Sequence, residues 1–297
     1  MGHPLVQDAD VSSALYVVRG KIGERAQRDR SGLRRVQRES EGTIHMESFF
    51  EAFLVGLVGL ALGQLIDLGW GRFYTGETIR APLSRCVHCK APSGFVAMLP
   101  FVAPAIWEDG RCPNCAEALT LRSVYLPAGA ALLFLISYWA FDGDLGGAML
   151  GGFFATIFFT LTLTDLETRL LPNRIVYPGI VLAVLFCWGW PDTSILQILA
   201  GGVAGVLIAG LLLLISVPFG SEALGMGDVK MMVLMGFVLG VPAVIIGVVL
   251  GTLAAGAAAA FLLISGRASR RDYIPHGPFL AFGAVVALFW GPGLWPY

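Results

Sequence analysis

Residues 195–217 read ILQILAGGVAGVLIAGLLLLISV, a run of 23 residues without a charged side chain. A helix needs roughly 20 apolar residues to cross the hydrocarbon core of a bilayer, with about 17 as a practical lower limit. Soluble cores seldom contain apolar runs of this length, so the stretch predicts a membrane-spanning helix. Similar runs decide the fold of the remaining chain.

Seven further apolar runs lie outside this stretch. They cover residues 49–66, 124–141, 146–164, 175–190, 229–240, 242–265 and 278–295. The run at 229–240 is short, but Gly240 and Pro242 mark a tight turn after it. Of the 297 residues, 56% are hydrophobic and 14% are charged, which excludes a disordered chain and disfavours a soluble enzyme. We expect an all-α polytopic membrane protein with about eight transmembrane helices.

The basic residues after position 45 predict how this bundle is oriented. All of them fall in alternate connections between the apolar runs or, for Lys230, at the start of the run that follows such a connection, and Arg and Lys in short loops are retained on the cytoplasmic side. The opposite connections have none, so both ends of the bundle are expected outside and the alternate connections on the cytoplasmic side. The twelve residues are Arg72, Arg80, Arg85, Lys90, Arg111, Arg122, Arg169, Arg174, Lys230, Arg267, Arg270 and Arg271.

Residues 1–45 conflict with this orientation because they carry eight Arg and Lys side chains against six Asp and Glu. Such a stretch resists translocation, yet the bundle would place it outside. A short acidic start at Met46 suits an outside terminus better. Our hypothesis is that residues 1–45 are an over-extended reading frame or a disordered, dispensable leader; the sequence does not decide between Met1 and Met46 as the start. The first helix is then 46–66.

Residues 67–122 form the long cytoplasmic loop and contain two C-x-x-C pairs, Cys86 with Cys89 and Cys112 with Cys115. Four thiolates can bind Zn²⁺ tetrahedrally, and a loop this small has too little core to fold alone. We therefore expect a small structural zinc-binding loop between helices 1 and 2. Disulfides or free thiols are the alternatives. Residues 123–297 would then be the transmembrane catalytic domain.

Two carboxylates lie at the cytoplasmic edge of the predicted bundle. Asp165 ends the third run, and Asp228 lies in Gly225-Met226-Gly227-Asp228-Val229-Lys230, which leads into the sixth. Two carboxylates close together share a proton, which suits general acid and base catalysis of peptide hydrolysis. Gly225 and Gly227 would let an extended substrate approach the backbone.

Other readings of these aspartates stay open. A lone interfacial aspartate is commonly an N-cap or half of a salt bridge. An ion-coupled transporter could use Asp165 and Asp228 as ligands, although transporter sites usually lie near the bilayer midplane. A third reading is a zinc-loop membrane scaffold for a secretion or pilus assembly. Nucleic-acid binding has little support because the loop charges are dispersed and lack interleaved aromatic residues.

The chain resembles the prepilin peptidases, also called type IV leader peptidases, over about residues 49–290. Their G-x-G-D motif matches residues 225–228, and their first aspartate segment matches Asp165 with Leu170-Leu171-Pro172. The cysteine pairs and residues 274–281, read IPHGPFLA, resemble further family segments. Asn173 stands where the family commonly has aspartate, and His276 replaces a usual aromatic residue.

The resemblance implies an aspartic endopeptidase that removes the basic leader of prepilins and pseudopilins at the cytoplasmic face, as in type IV pilus and type II secretion systems. The catalytic pair would be Asp165 and Asp228, and the zinc ligands Cys86, Cys89, Cys112 and Cys115. The resemblance also implies methylation of the new N-terminus with S-adenosylmethionine, for which the chain shows no fingerprint. The sequence identifies neither the pilin that is cut nor whether the protein is a homodimer.

Overall fold

The computed structural model describes residues 48–67, 69, 114–115, 122–169, 171–191, 193–216, 225–267 and 275–294. In this part of the chain the regular structure is entirely helical. The eight described α-helices are α1 (Ser48–Asp67), α2 (Arg122–Ala140), α3 (Leu145–Thr168), α4 (Asn173–Leu185), α5 (Ile195–Ser216), α6 (Met226–Leu239), α7 (Ala243–Ile264) and α8 (Gly277–Leu294). Each predicted apolar run therefore corresponds to one helix.

Four of the described helices, α1, α3, α5 and α7, are long and apolar enough to cross a membrane. α2, α4 and α8 contain shorter apolar stretches, and α6 has only 14 residues. The prediction of an all-helical membrane protein is confirmed. The number of spans stays a prediction, as do the domain boundaries. Residues 1–45, and most of the predicted loop at 67–122, lie outside the described residues.

Large apolar side chains cover the outer faces of the long helices. On α5, Leu196 is 77% exposed, and Leu207 and Leu214 are also exposed; on α7, Leu253 and Ile264 are exposed. Contiguous apolar surface of this kind is unfavourable in water and marks a surface that contacts lipid or another protein. The exposed faces thus agree with a bundle that is embedded in a bilayer.

The short helix α6 is enclosed by four neighbouring helices. It packs against α4, α5, α7 and α8. Met231, Met232, Leu234 and Met235 are fully buried, which accounts for a helix that is apolar on all sides. Because α6 begins at Met226, its first turn carries the G-x-G-D residues into the bundle.

The last helix, α8, packs against α3, α6 and α7. Close contact with α7 depends on small residues: a Cβ on Gly251 would lie 2.8 Å from the backbone oxygen of Phe279 and 2.9 Å from the Cα of Leu280. Small residues let helix backbones approach closely inside membranes. Through these contacts α8 adjoins both helices that carry the predicted catalytic aspartates.

Candidate functional site

Asp165 lies in the last turn of α3 and is only 3% exposed. Its backbone carbonyl accepts the N–H of Arg169 at 2.9 Å, and Arg169 ends the helix in the left-handed conformation with φ 54°. A helix exposes unpaired carbonyl groups at its carboxyl end, so a negative side chain is unfavourable there. Asp165 therefore does not serve as a cap of its own helix.

Asp228 lies in the first turn of α6 and is 5% exposed. Its backbone N–H donates to the carbonyl of Gly225 at 3.0 Å, while the N–H of Gly225 donates to the Asp228 carboxylate. The bond from the Gly225 N–H corresponds to one half of a capping box, in which an acidic side chain three positions after the N-cap binds the N-cap N–H; Gly225 has no side chain to make the other half. A capping role alone does not account for the burial of Asp228, since capping residues are ordinarily at the surface.

The two carboxylates act on each other. The pKa of Asp228 is raised to about 6, mainly by burial and further by the negative charge of Asp165, while the hydrogen bond from Gly225 opposes both effects. Asp228 belongs to a helix that is not among the four candidate spans. An electrostatic effect of Asp165 on Asp228 requires the two side chains to lie near each other, although the residues are 63 positions apart in the chain.

The amino end of α8 completes the surroundings of Asp165. The backbone N–H of Gly277 donates to the Asp165 carboxylate. A Cβ on Gly277 would lie 2.6 Å from Oδ2 of Asp165, so the close approach depends on glycine at this position. His276 precedes it and is half-buried, and burial lowers the pKa of its imidazole.

The chain segment that follows α3 packs directly on the first turn of α6. Leu171 contacts Gly227. A Cβ on Gly227 would lie 2.9 Å from Cδ1 and 3.2 Å from Cβ of Leu171. Lys230 donates from Nζ to Oδ1 of Asn173 at 2.8 Å, and the same Nζ lies 5.6 Å from the centre of the Tyr177 ring. These contacts attach the two motif segments to each other.

The two motif glycines differ in their surroundings. Gly227 is half-buried under Leu171, which gives it a packing reason to be glycine. Gly225 is exposed, and a Cβ on it would meet Oδ2 of Asp228 at 3.6 Å, an ordinary contact distance. A role in substrate approach therefore stays a prediction for both glycines.

Three of the four predicted zinc ligands, Cys86, Cys89 and Cys112, lie outside the described residues. The fourth, Cys115, is exposed in a short turn with Asn114. Among the described residues, no group of three or more His, Cys, Asp and Glu side chains could hold a metal ion. The zinc site therefore stays a prediction.

Two buried carboxyl groups that accept hydrogen bonds from backbone N–H groups can share one proton and transfer it during a reaction. Fold and site together define a polytopic helical membrane protein with a paired aspartate centre at one end of its bundle. This class includes hydrolases and proton-coupled proteins, which geometry alone does not separate.

Comparison with known families separates them. The sequence model of the type IV leader peptidase family matches residues 152–262, which include Asp165 and Asp228. The model of the bacterial peptidase A24 N-terminal domain matches residues 46–141. The two matches together cover more than two thirds of the chain. The chain belongs to the type IV leader peptidase family.

Curated relatives agree with this assignment. A protein of Bacillus subtilis (strain 168) is 28% identical over 252 residues, covering 80% of this chain and 94% of its own. A protein of Aeromonas hydrophila is 28% identical, covering 73% of this chain and 74% of its own. A protein of Pseudomonas putida is 26% identical, covering 71% of this chain and 73% of its own. Each is named prepilin leader peptidase/N-methyltransferase. No solved structure gives a significant match.

Sequence reasoning quoted Gly277 in a motif but assigned it no role. The Pro-His-Gly-Pro order at residues 275–278 is a recognisable signal for the start of a helix. Nothing in that signal indicates that Asp165, more than 100 residues earlier, lies against it. The contact belongs to tertiary structure, and Gly277 falls outside both family matches.

Proposed function

We propose that this protein is a membrane aspartic endopeptidase that removes the leader peptide from prepilins or pseudopilins. The observation that carries the proposal is the buried, electrostatically coupled pair of Asp165 and Asp228, which falls inside the match to the leader peptidase family. The relatives named prepilin leader peptidase/N-methyltransferase support the substrate class. They do not favour the transporter or scaffold alternatives.

The proposed chemistry requires one proton shared by the pair. The ionised carboxylate accepts a proton from a water molecule, whose oxygen attacks the scissile carbonyl carbon. The protonated carboxylic acid donates to the carbonyl oxygen and later supports protonation of the leaving amine. The raised pKa of Asp228 favours this state, because it takes up a proton at a higher pH than an ordinary aspartate does.

The proposed location is a bacterial inner membrane with the site at its cytoplasmic face. Arg169 follows α3, Arg174 lies in the first turn of α4, Lys230 in the first turn of α6, and Arg267 follows α7. Arg169 and Lys230 lie at the helix ends that carry Asp165 and Asp228, and retention of Arg and Lys in the cytoplasm supports the orientation. A leader of basic character is made in that compartment.

N-methylation of the new amino terminus with S-adenosylmethionine is the second proposed activity. It is supported by the name of the relatives, prepilin leader peptidase/N-methyltransferase. We further propose that Cys86, Cys89, Cys112 and Cys115 bind one structural zinc ion, because two C-x-x-C pairs offer four thiolates. Binding of such an ion would stabilise the folded loop. With four cysteine ligands, its coordination sphere would have no open position for a water molecule.

The proposed peptidase is tested by incubating purified protein in liposomes with a full-length prepilin and identifying the products by mass spectrometry. The wild type should release the intact leader, and Asp228→Asn should lower the rate at least about 1,000-fold. A wild type that leaves the prepilin uncut, or an Asp228→Asn variant that processes it at the normal rate, contradicts the proposal.

The same spectra test the second activity. With S-adenosylmethionine present, the mature pilin should gain the mass of one methyl group, and a product that stays unmethylated argues against the transferase. Elemental analysis of the purified chain should find one zinc per chain, and substitution of Cys112 and Cys115 by serine should abolish it. Zinc that persists in this variant would show that another site binds it.

A further inference from the structure

The amino end of α8 contacts the predicted catalytic centre through one residue. If Gly277 carried a Cβ, its three nearest heavy atoms would all belong to Asp165: Oδ2 at 2.6 Å, Cγ at 3.0 Å and Cβ at 3.4 Å. Among the described glycines, Gly143, Gly240 and Gly266 have a positive φ, and Gly277 does not. Glycine is therefore required here by the approach of the carboxyl group and not by the backbone conformation.

The hydrogen bonds of the first turn leave one donor for Asp165. The carbonyl of His276 accepts the N–H groups of Phe279 and Leu280 at 3.1 and 3.2 Å. Pro278 has no N–H. Within this described turn the N–H of Gly277 is the remaining donor, and it donates a hydrogen bond to the Asp165 carboxylate. The first N–H groups of a helix lack partners in their own helix, so a carboxylate is a favourable acceptor there.

The helix ends that meet at Asp165 have opposite polarity. The carboxyl end of α3 is unfavourable for a negative side chain, whereas the amino end of α8, an 18-residue helix, is favourable for one. Asp165 thus depends on α8 for the stabilisation that its own helix does not provide. Because α8 also packs against α6, α8 contacts both Asp165 and the helix that carries Asp228.

We propose that Gly277 is a positioning residue for hydrolysis, whose N–H and missing side chain hold the Asp165 carboxyl in the orientation that pairs it with Asp228. The proposal rests on the proposed peptidase function. It assigns a role to a third segment of the chain, distant from both aspartates in sequence. Gly277 itself contacts neither water nor substrate in this scheme.

The kinetic test replaces Gly277 by alanine and measures prepilin cleavage in liposomes. Displacement of a reacting group by about 1 Å can lower a rate about 100-fold, so kcat of Gly277→Ala should fall by about that factor. KM should stay within about threefold, because the substrate surface is unchanged. The matched control is Gly256→Ala in α7, where a Cβ meets no atom within 4 Å and both constants should stay at the wild-type value.

A stability cycle tests the contact without using activity. Gly277→Ala should lower Tm by roughly 3–10 °C in the wild-type background, because the new methyl group overlaps the carboxyl group. In an Asp165→Ala background the overlapping Oδ2 and Cγ are gone, and the same substitution should change Tm by less than about 1 °C. A loss of Tm that is equal in both backgrounds overturns the proposed contact.

The outcomes separate this inference from the function on which it rests. If the wild type cleaves prepilin but Gly277→Ala retains its kcat, the positioning role is wrong and the peptidase stands. If the variant loses kcat and KM rises in proportion, Gly277 acts on substrate binding and the positioning role is again wrong. If the wild type does not cleave prepilin, the proposed function fails, and the positioning role fails with it.

Discussion

Helix α3 carries an aspartate at each end, and the two differ in burial, partners and electrostatic setting. Asp144 is the N-cap: it is exposed, and its Oδ2 accepts the N–H of Gly147 at 2.6 Å. Asp165 lies in the last turn, is buried, and binds the N–H of Gly277 from another helix. Asp144 supplies an acceptor for a free N–H group of its own helix. Asp165 is electrostatically unfavourable for its own helix and is stabilised by the amino end of α8.

This difference indicates how to separate structural from functional carboxylates in a membrane bundle. An exposed negative group at a helix amino end, such as Asp144, is stabilising, so its presence there needs no further reason, whereas the buried Asp228 is not explained by its place at an amino end alone. A buried one at a carboxyl end is costly unless other elements stabilise it, and such residues within membrane helices are commonly functional. At the end of α3 that carries Asp144, a cavity of about 40 Å³ is lined by Phe141, Trp190, Thr193 and apolar neighbours.

The largest stability effect should come from the pH dependence of Asp228. An unfolded aspartate has a pKa of about 4, and the folded value is about 6, so the folded state binds the proton more tightly. Wild-type stability should therefore fall as pH rises from about 4 to about 6, by on the order of 2 kcal/mol relative to Asp228→Asn. Thermal unfolding of both proteins at pH 4.5 and pH 7 measures this. A Tm difference that does not change with pH contradicts the coupled, buried pair.

A smaller effect is expected at the other end of α3. Asp144→Ala should lower the free energy of unfolding by about 1 kcal/mol, because the N–H of Gly147 loses its acceptor. Prepilin cleavage should stay within about twofold of the wild type. Asp144→Asn keeps a capping oxygen and is the matched control for stability. Loss of cleavage by Asp144→Ala in a folded protein would remove the distinction between the two ends.

The smallest effect concerns the contact between Asn173 and Lys230. Asn173→Asp places a carboxylate beside the Lys230 ammonium group and in the first turn of α4, where negative charge is favourable. An exposed pair of this kind should raise the free energy of unfolding by about 0.5 kcal/mol. Cleavage should stay within about twofold, as measured alongside Asn173→Ala, which lacks the acceptor. A large change in kcat for Asn173→Asp would place this pair in the chemistry.

The helices were predictable because long apolar runs leave few alternatives to a membrane helix. The prediction of a helix at the short run 229–240 was correct. The burial of this helix was not predictable, because it depends on the packing of α4, α5, α7 and α8 around it. The family resemblance of the motif segments was confirmed by the match at residues 152–262.

The construction of the site was only partly predictable. The positions of Asp165 and Asp228 at helix ends follow from where apolar runs stop and start. The support from Gly277 and the packing of Leu171 on Gly227 do not, because they join residues that are far apart in the chain. Local patterns report helix ends and turns, whereas these contacts arise only when the helices pack.

The most direct test of the central claim compares Asp165→Asn with Asp144→Asn in the same prepilin cleavage assay. Both substitutions replace a carboxylate by an amide of the same shape on the same helix. Asp165→Asn should lower the cleavage rate at least about 1,000-fold, and Asp144→Asn should stay within about twofold of the wild type. Cleavage by Asp165→Asn at close to the wild-type rate would contradict the assignment of Asp165 and Asp228 as the catalytic pair.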